Sequence, residues 1–235
     1  MSGHSKWAQI HRQKGTADTK RGALFTKMGN AITIAAKLGG GNPETNFRLR
    51  LAIDQAKVIN MPKDNIDRAI KRGTGELGGG TIESVTYEGF GPGGIAFIIE
   101  TLTSNRNRTS ANIKHTLTKY GGSLGTPNSV RWFFGQKGII RIEKIDENLE
   151  LELIDAGAED IVTDSDGVAV YTQPNDLKKI KDRLEARGIK TEYAEIEWVA
   201  KEKKEAAGQK ETLEKIFDEL EADEDVSNYY TNAEV

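Results

Sequence analysis

Residues 76–88 read Glu76-Leu77-Gly78-Gly79-Gly80-Thr81-Ile82-Glu83-Ser84-Val85-Thr86-Tyr87-Glu88, and the fold is decided at this stretch. Before it, apolar residues recur at a spacing of about 3.6; after it they alternate at about 2, the two periods by which side chains share a face on a helix and on a strand. The glycine run between the two patterns has the composition of a linker. A helical domain is therefore expected to end here and an α/β domain to begin.

Toward the amino end, Leu24, Phe25, Met28, Ile32 and Ala35 predict a helix from Thr19 that stops at Gly39-Gly40-Gly41. Asn42-Pro43-Glu44 has the form of an N-cap followed by proline at the first helical position, and Leu49, Ala52, Ile53, Ala56 and Ile59 continue the pattern. A third, short helix is predicted from Pro62, with Ile66, Ala69 and Ile70 on one face and Gly73 just past its end. Residues 1–20 place Lys6, Arg12, Lys14 and Lys20 among Ser, Gly and Gln, with only Trp7 and Ile10 as larger apolar groups, and read as a mobile basic arm.

Toward the carboxyl end, strands are predicted at 84–88 and 95–102, a helix at 107–120 and a strand at 130–134. Past Lys137-Gly138 comes strand (139–143), helix (148–156), strand (160–163), a turn at Asp164-Ser165-Asp166-Gly167, strand (168–172), helix (174–187) and strand (190–199), the β-α-β-β-α-β order of a ferredoxin-like unit. A helix at 210–220 and a strand near 227–231 are left to complete the earlier α/β domain. The expected fold class is thus mixed α+β: a helical bundle and two sandwich-like α/β domains, one of them ferredoxin-like. The domains are expected at 1–75, at 81–136 with 208–235, and, inserted, at 137–207.

Charge follows the same division. Residues 1–73 hold 14 of the 33 Lys/Arg but only 5 of the 36 Asp/Glu, so a net charge of -3 conceals a cationic amino-terminal third on an anionic body. Local field rather than total charge governs the capture of a polyanion, so this asymmetry points to phosphate as the partner. Lys14, Lys20, Arg21 and Lys27 cluster where the arm meets the first helix, and Arg48, Arg50, Arg68, Lys71 and Arg72 follow on the next two. Arg106, Arg108, Lys114 and Lys119, beside Gly121-Gly122-Ser123, form a second basic strip. Trp7 and Phe25 are candidates for stacking on unpaired bases, with Phe25 the better candidate for core.

Other chemistries find little support. Gly89-Phe90-Gly91-Pro92-Gly93-Gly94 fits the spacing of a dinucleotide fingerprint, but Ile95-Ala96-Phe97-Ile98-Ile99 after it is a strand, where that motif requires a helix, so a hairpin loop is expected. Asp164-Ser165-Asp166-Gly167 lacks the further acidic ligands of a calcium loop and reads as a turn. The chain has no cysteine and 3 histidines, His4, His11 and His115, of which two lie in the arm, so no metal site is expected. His115 has no nucleophile elbow beside it and extends the polar face of its helix. No apolar run approaches a membrane span.

Met1-Ser2-Gly3-His4-Ser5-Lys6-Trp7, Asp18 to Arg21, Phe25-Thr26-Lys27, Asn60 to Asn65, Tyr87 to Gly94, Asn105 to Thr109 and Gly121 to Gly125 together resemble, in order along nearly the whole chain, the signature segments of the YebC family. That resemblance implies a three-domain protein with no enzymatic activity. The family includes mitochondrial translational activators of cytochrome c oxidase. Its members are described both as DNA-binding transcriptional regulators and as ribosome-associated factors that relieve stalling at proline-rich stretches. The chain departs from the pattern at Ala23, at Asn30-Ala31 and at Asn128, which stands at a usual glycine.

The expectation is a cytoplasmic, monomeric, non-enzymatic regulator of gene expression without cofactor, metal or membrane contact. Its partner would be ribosomal RNA or tRNA on the ribosome, with duplex DNA as the alternative. The residues expected to contact nucleic acid are His4, Lys6, Trp7, Arg12, Lys14, Lys20, Arg21, Lys27, Arg106 and Arg108.

Overall fold

The structure is a computed structural model that describes residues 18–77, 82–206 and 208–234. It is mixed α+β, and its described residues form two compact units, 135–199 and the segments on either side of it in sequence.

Three helices open the larger unit: α1 (Asp18–Gly39), α2 (Phe47–Val58) and α3 (Lys63–Gly73). Met28, Ile32 and Ala36 of α1 pack on Leu49, Ile53 and Ala56 of α2 and on Ile66 and Ala69 of α3. α3 approaches α1 closely at Gly73, where a Cβ would lie 2.3 Å from the Thr33 carbonyl oxygen, so only glycine fits there. Two predicted boundaries shift. α2 starts at Phe47 rather than at Pro43, because Asn46 is the cap: its Oδ1 accepts from Leu49 N–H at 3.0 Å while its amide donates to the carbonyls of Ala35 and Gly40, both at 2.8 Å. One buried side chain thus starts α2 and closes the end of α1. Gly73 is the last residue of α3 rather than the one after it, and the chain turns left-handed at Gly75, φ +84°.

The α/β portion of this unit contains β1 (Glu83–Phe90), β2 (Ala96–Thr103), α4 (Arg106–Lys119) and β3 (Ser123–Leu124). After the 135–199 unit the chain returns as β8 (Lys204–Glu205), α7 (Lys210–Ala222), β9 (Val226–Thr231) and β10 (Ala233–Glu234). The sheet order is β3-β1-β2-β9, antiparallel, with β8 and β10 as a separate parallel pair. Phe97 and Ile99 face Ile113 and Leu117 of α4 and Leu213, Ile216 and Phe217 of α7. Ala96 and Ile98, on the opposite face of β2, are also fully buried, and α1 lies against β2 and β9. This explains why β2 reads as a continuous apolar run rather than an alternating one.

The predicted strand at 130–134 is not formed. Residues Arg131–Phe133 make a 3-10 turn, and β3 takes the edge of the sheet beside β1.

In the second unit β4 (Phe134–Ile142, its first residue shared with the larger unit), α5 (Glu147–Asp155), β5 (Ala158–Asp164), β6 (Gly167–Thr172), α6 (Leu177–Ala186) and β7 (Thr191–Ala200) give the sheet order β5-β6-β4-β7. That is the ferredoxin-like arrangement. Ile140, Ile142, Leu153, Val170, Ile180 and Leu184 are among its buried residues.

Candidate nucleic-acid interface

α3 carries the sequence Lys-Asp-Asn-Ile-Asp-Arg-Ala-Ile-Lys-Arg-Gly; Ile66 and Ala69 turn inward and Lys63, Arg68, Lys71 and Arg72 are exposed. Lys71 and Arg72 sit in the last turn, where the helix dipole favours positive charge. None of these four cations meets a carboxylate among the described residues. Arg68 and Arg72 are one turn apart and, with Asn65, share a face of the helix. Together with Phe25 and Asn30 of α1 they line a groove of about 320 Å³ whose floor includes Gly29, Thr33 and Ala69. The Thr33 hydroxyl is spent on the carbonyls of Gly29 and Ala69, at 2.8 and 3.1 Å. On α2, Arg48 is exposed, Arg50 lies 5.4 Å from the Phe47 ring centre and Lys57 pairs with Asp54 at 3.8 Å.

Of the residues expected to contact nucleic acid, His4, Lys6, Trp7, Arg12 and Lys14 lie outside the described residues, as does the whole basic arm before Asp18. Lys20 and Arg21 fall on the first turns of α1, but their side chains lie outside the described set. Phe25 is half-buried: it packs on the bundle core and also walls the groove.

Lys27 is a correction. Its side chain is only 8% exposed, and its ammonium donates to the Glu221 carbonyl oxygen at 2.7 Å, at the end of α7. Burial lowers its pKa to about 8, against the opposing pull of Asp223, Glu221 and Glu224. It ties α1 to the end of α7 and has little surface left for a phosphate. Arg108 is exposed but paired: its guanidinium grips both carboxylate oxygens of Asp225, at 3.0 and 2.8 Å, and Thr109 donates to the same carboxylate at 2.8 Å. Lys119 is likewise paired with Glu219, whose carboxyl it holds below the usual range together with the Tyr120 hydroxyl. Of the second strip, Arg106 and Lys114 remain exposed without an ion pair among the described residues, and His115 is exposed.

One functional-looking side chain was missed from sequence. Glu88, inside the glycine-rich signature, is 6% exposed and accepts from the backbone N–H groups of Asn128, Val130 and Arg131, at 2.8, 2.8 and 3.0 Å. Burial works against its charge, but the three donors and the Arg131 charge outweigh it and hold the carboxyl below its usual range. Asn128 is left-handed there, φ +67°, a conformation asparagine tolerates better than other side chains. Glu88 captures the Val130 and Arg131 donors that a strand at 130–134 would have used.

The glycine-rich loop joins β1 to β2 as a hairpin through a 3-10 turn at Pro92–Gly94, with no helix after it. Asp164 also sits in a hairpin, where it accepts from Arg141 at 2.7 Å and from Asp166 N–H at 2.9 Å. No group of three or more His, Asp or Glu among the described residues could hold a metal, and no described helix is long and apolar enough to cross a membrane.

Comparison with known proteins places this architecture in one family. Residues 5–76 match the TACO1/YebC protein N-terminal domain, and residues 82–233 match the TACO1/YebC second and third domain. The chain belongs to the TACO1/YebC family. It is 50% identical over 242 residues to a probable transcriptional regulatory protein of Chlorobaculum tepidum, and 49% identical over 240 residues to one of Syntrophus aciditrophicus, in each case covering 100% of this chain and 96% of the relative. Among solved structures, a conserved hypothetical protein of Aquifex aeolicus superposes with a TM-score of 0.86 at 41% identity, covering 98% of this chain and 97% of that one.

Proposed function

We propose that the chain is a non-enzymatic, nucleic-acid-binding regulator of gene expression that works as a ribosome-associated translation factor, relieving stalling at proline-rich sequences. The observation that carries this reading is the row of exposed cations on α3, none of them ion-paired with a carboxylate among the described residues, beside the groove between α1 and α3. Such a surface neutralises phosphates and releases counterions, giving affinity that falls steeply with salt and carries little sequence information. A ribosomal cleft presents phosphate on many sides. A cationic helical segment enters it more readily than the anionic remainder of the chain, and the rate gain would come from positioning substrates rather than from side-chain chemistry.

In this reading His4, Lys6, Trp7, Arg12, Lys14, Lys20 and Arg21 contact RNA in advance of α3, and Arg106 adds a peripheral contact. Residues 1–75, 81–136 with 208–235, and 137–207 act as three domains in a cytoplasmic monomer. The relatives, named as probable transcriptional regulatory proteins, favour a second reading, in which the chain regulates transcription by binding DNA. A recognition helix would then present a stripe of base-reading side chains. α2 offers Arg48, Arg50 and Gln55, but Gln55 is buried, so the stripe is broken. Co-sedimentation with ribosomes beside gel shifts on promoter duplex separates the two. Ribosome association that falls with salt is expected, and promoter-selective duplex binding without ribosome association would reverse the assignment.

A further inference from the structure

We infer that the groove between α1 and α3 is a pocket for one unstacked nucleotide of single-stranded RNA, with the phosphate on Arg68 and Arg72, the base against Phe25, and Asn30 and Asn65 at the base edge. This deepens the proposed function and rests on it.

The groove's volume, about 320 Å³, matches the small end of ligand sites. Its two guanidinium groups stand one turn apart and have no ion pair with a described residue, so their donor forks are open to a phosphate's oxygens. The Phe25 ring, half-buried and fixed by the bundle core, supplies a rigid apolar wall. The amides of Asn30 and Asn65 make no hydrogen bond to a described residue, although both line the groove. Each offers a carbonyl acceptor and an NH2 donor, the complement of a nucleobase edge. A duplex would use the arginines alone, since its bases are stacked and out of reach of an aromatic wall. An acidic peptide would use the arginines and leave the ring and amides idle. The combination of all three elements is the one by which unpaired RNA bases are read.

The test uses the full chain and a labelled, mixed-sequence single-stranded RNA, with affinity followed by fluorescence anisotropy between about 50 and 200 mM salt. Arg68→Gln with Arg72→Gln should weaken binding about tenfold at low salt and reduce the slope of log affinity on log salt by about 0.7, the share of one phosphate on a single strand. Asn30→Ala with Asn65→Ala should weaken binding about threefold and leave the slope unchanged, with no loss on duplex of the same sequence. Melting temperatures of both variants, whose altered side chains are at least partly exposed, establish that they are folded.

Wild-type binding that both variants retain in full overturns the pocket and leaves the RNA reading standing. Equal loss on single strand and duplex from the arginine variant, with no effect of the asparagine variant, also overturns the pocket, leaving a plain phosphate patch. Binding of a glutamate-rich peptide with no binding of RNA or ribosomes overturns both.

Discussion

α3 and α4 carry four lysines and arginines apiece, yet they face opposite circumstances. On α3 all four are exposed and meet no carboxylate among the described residues. On α4, Arg108 and Lys119 are taken by Asp225 and Glu219, from the acidic segment running from α7 into β9. The count of cations is therefore a poor guide to phosphate capture, because a paired cation has no field to offer. The two helices should accordingly separate affinity from stability: charge changes on α3 ought to alter binding, and changes to the charges that tie the α/β portion together ought to alter folding.

The largest effect should come from Glu88. Glu88→Ala leaves three backbone N–H groups without their acceptor and should cost about 3 kcal/mol in denaturant unfolding, with RNA affinity per folded molecule unchanged. Because the folded pKa of Glu88 is depressed, its contribution is present above the unfolded carboxylate value and is lost as pH falls through the folded one. Glu88→Gln should therefore show a weaker fall in stability on acidification than the wild-type chain.

On α3, Lys71→Glu with Arg72→Glu should weaken RNA binding about thirtyfold at low salt and leave the melting temperature in place. Arg108→Gln should do the reverse, lowering the melting temperature because Asp225 is left partly buried without its partner, while affinity stays within about twofold.

Lys27 sharpens the comparison from within the helical segment. Its folded pKa, about 8, lies below the usual 10.5, so the unfolded chain binds more protons between those values and stability should rise with pH across that window. Lys27→Met should abolish that rise without altering RNA affinity. The smallest effect is expected from Arg106→Gln, a change in affinity of about twofold or less with no change in melting.

The helices and most strands were legible because each has a period and an end signal. What escaped the sequence was the partner across space. α1 buries residues both toward α2 and α3 and toward the sheet, so Lys27, adjacent to a core methionine, carries no mark of being inside. Val130-Arg131-Trp132-Phe133-Phe134 has strand composition, but Glu88, 42 residues before Val130, takes its N–H groups and bends the chain. Asn42 and Asn46 both precede the same apolar run, and only the packing of Asn46 against the end of α1 selects it as the cap. The groove had one readable signal, Asn65, Arg68 and Arg72 at spacings of three and four on one helix, but its other wall comes from Phe25 and Asn30, remote in sequence.

Ultraviolet crosslinking of the intact protein to nucleic acid in cells, with the attached peptides mapped by mass spectrometry and the attached strands sequenced, is the most direct test. Adducts to ribosomal RNA or tRNA concentrated in the first 76 residues are the predicted result. Adducts concentrated in residues 135–199, or on genomic DNA alone, would contradict it.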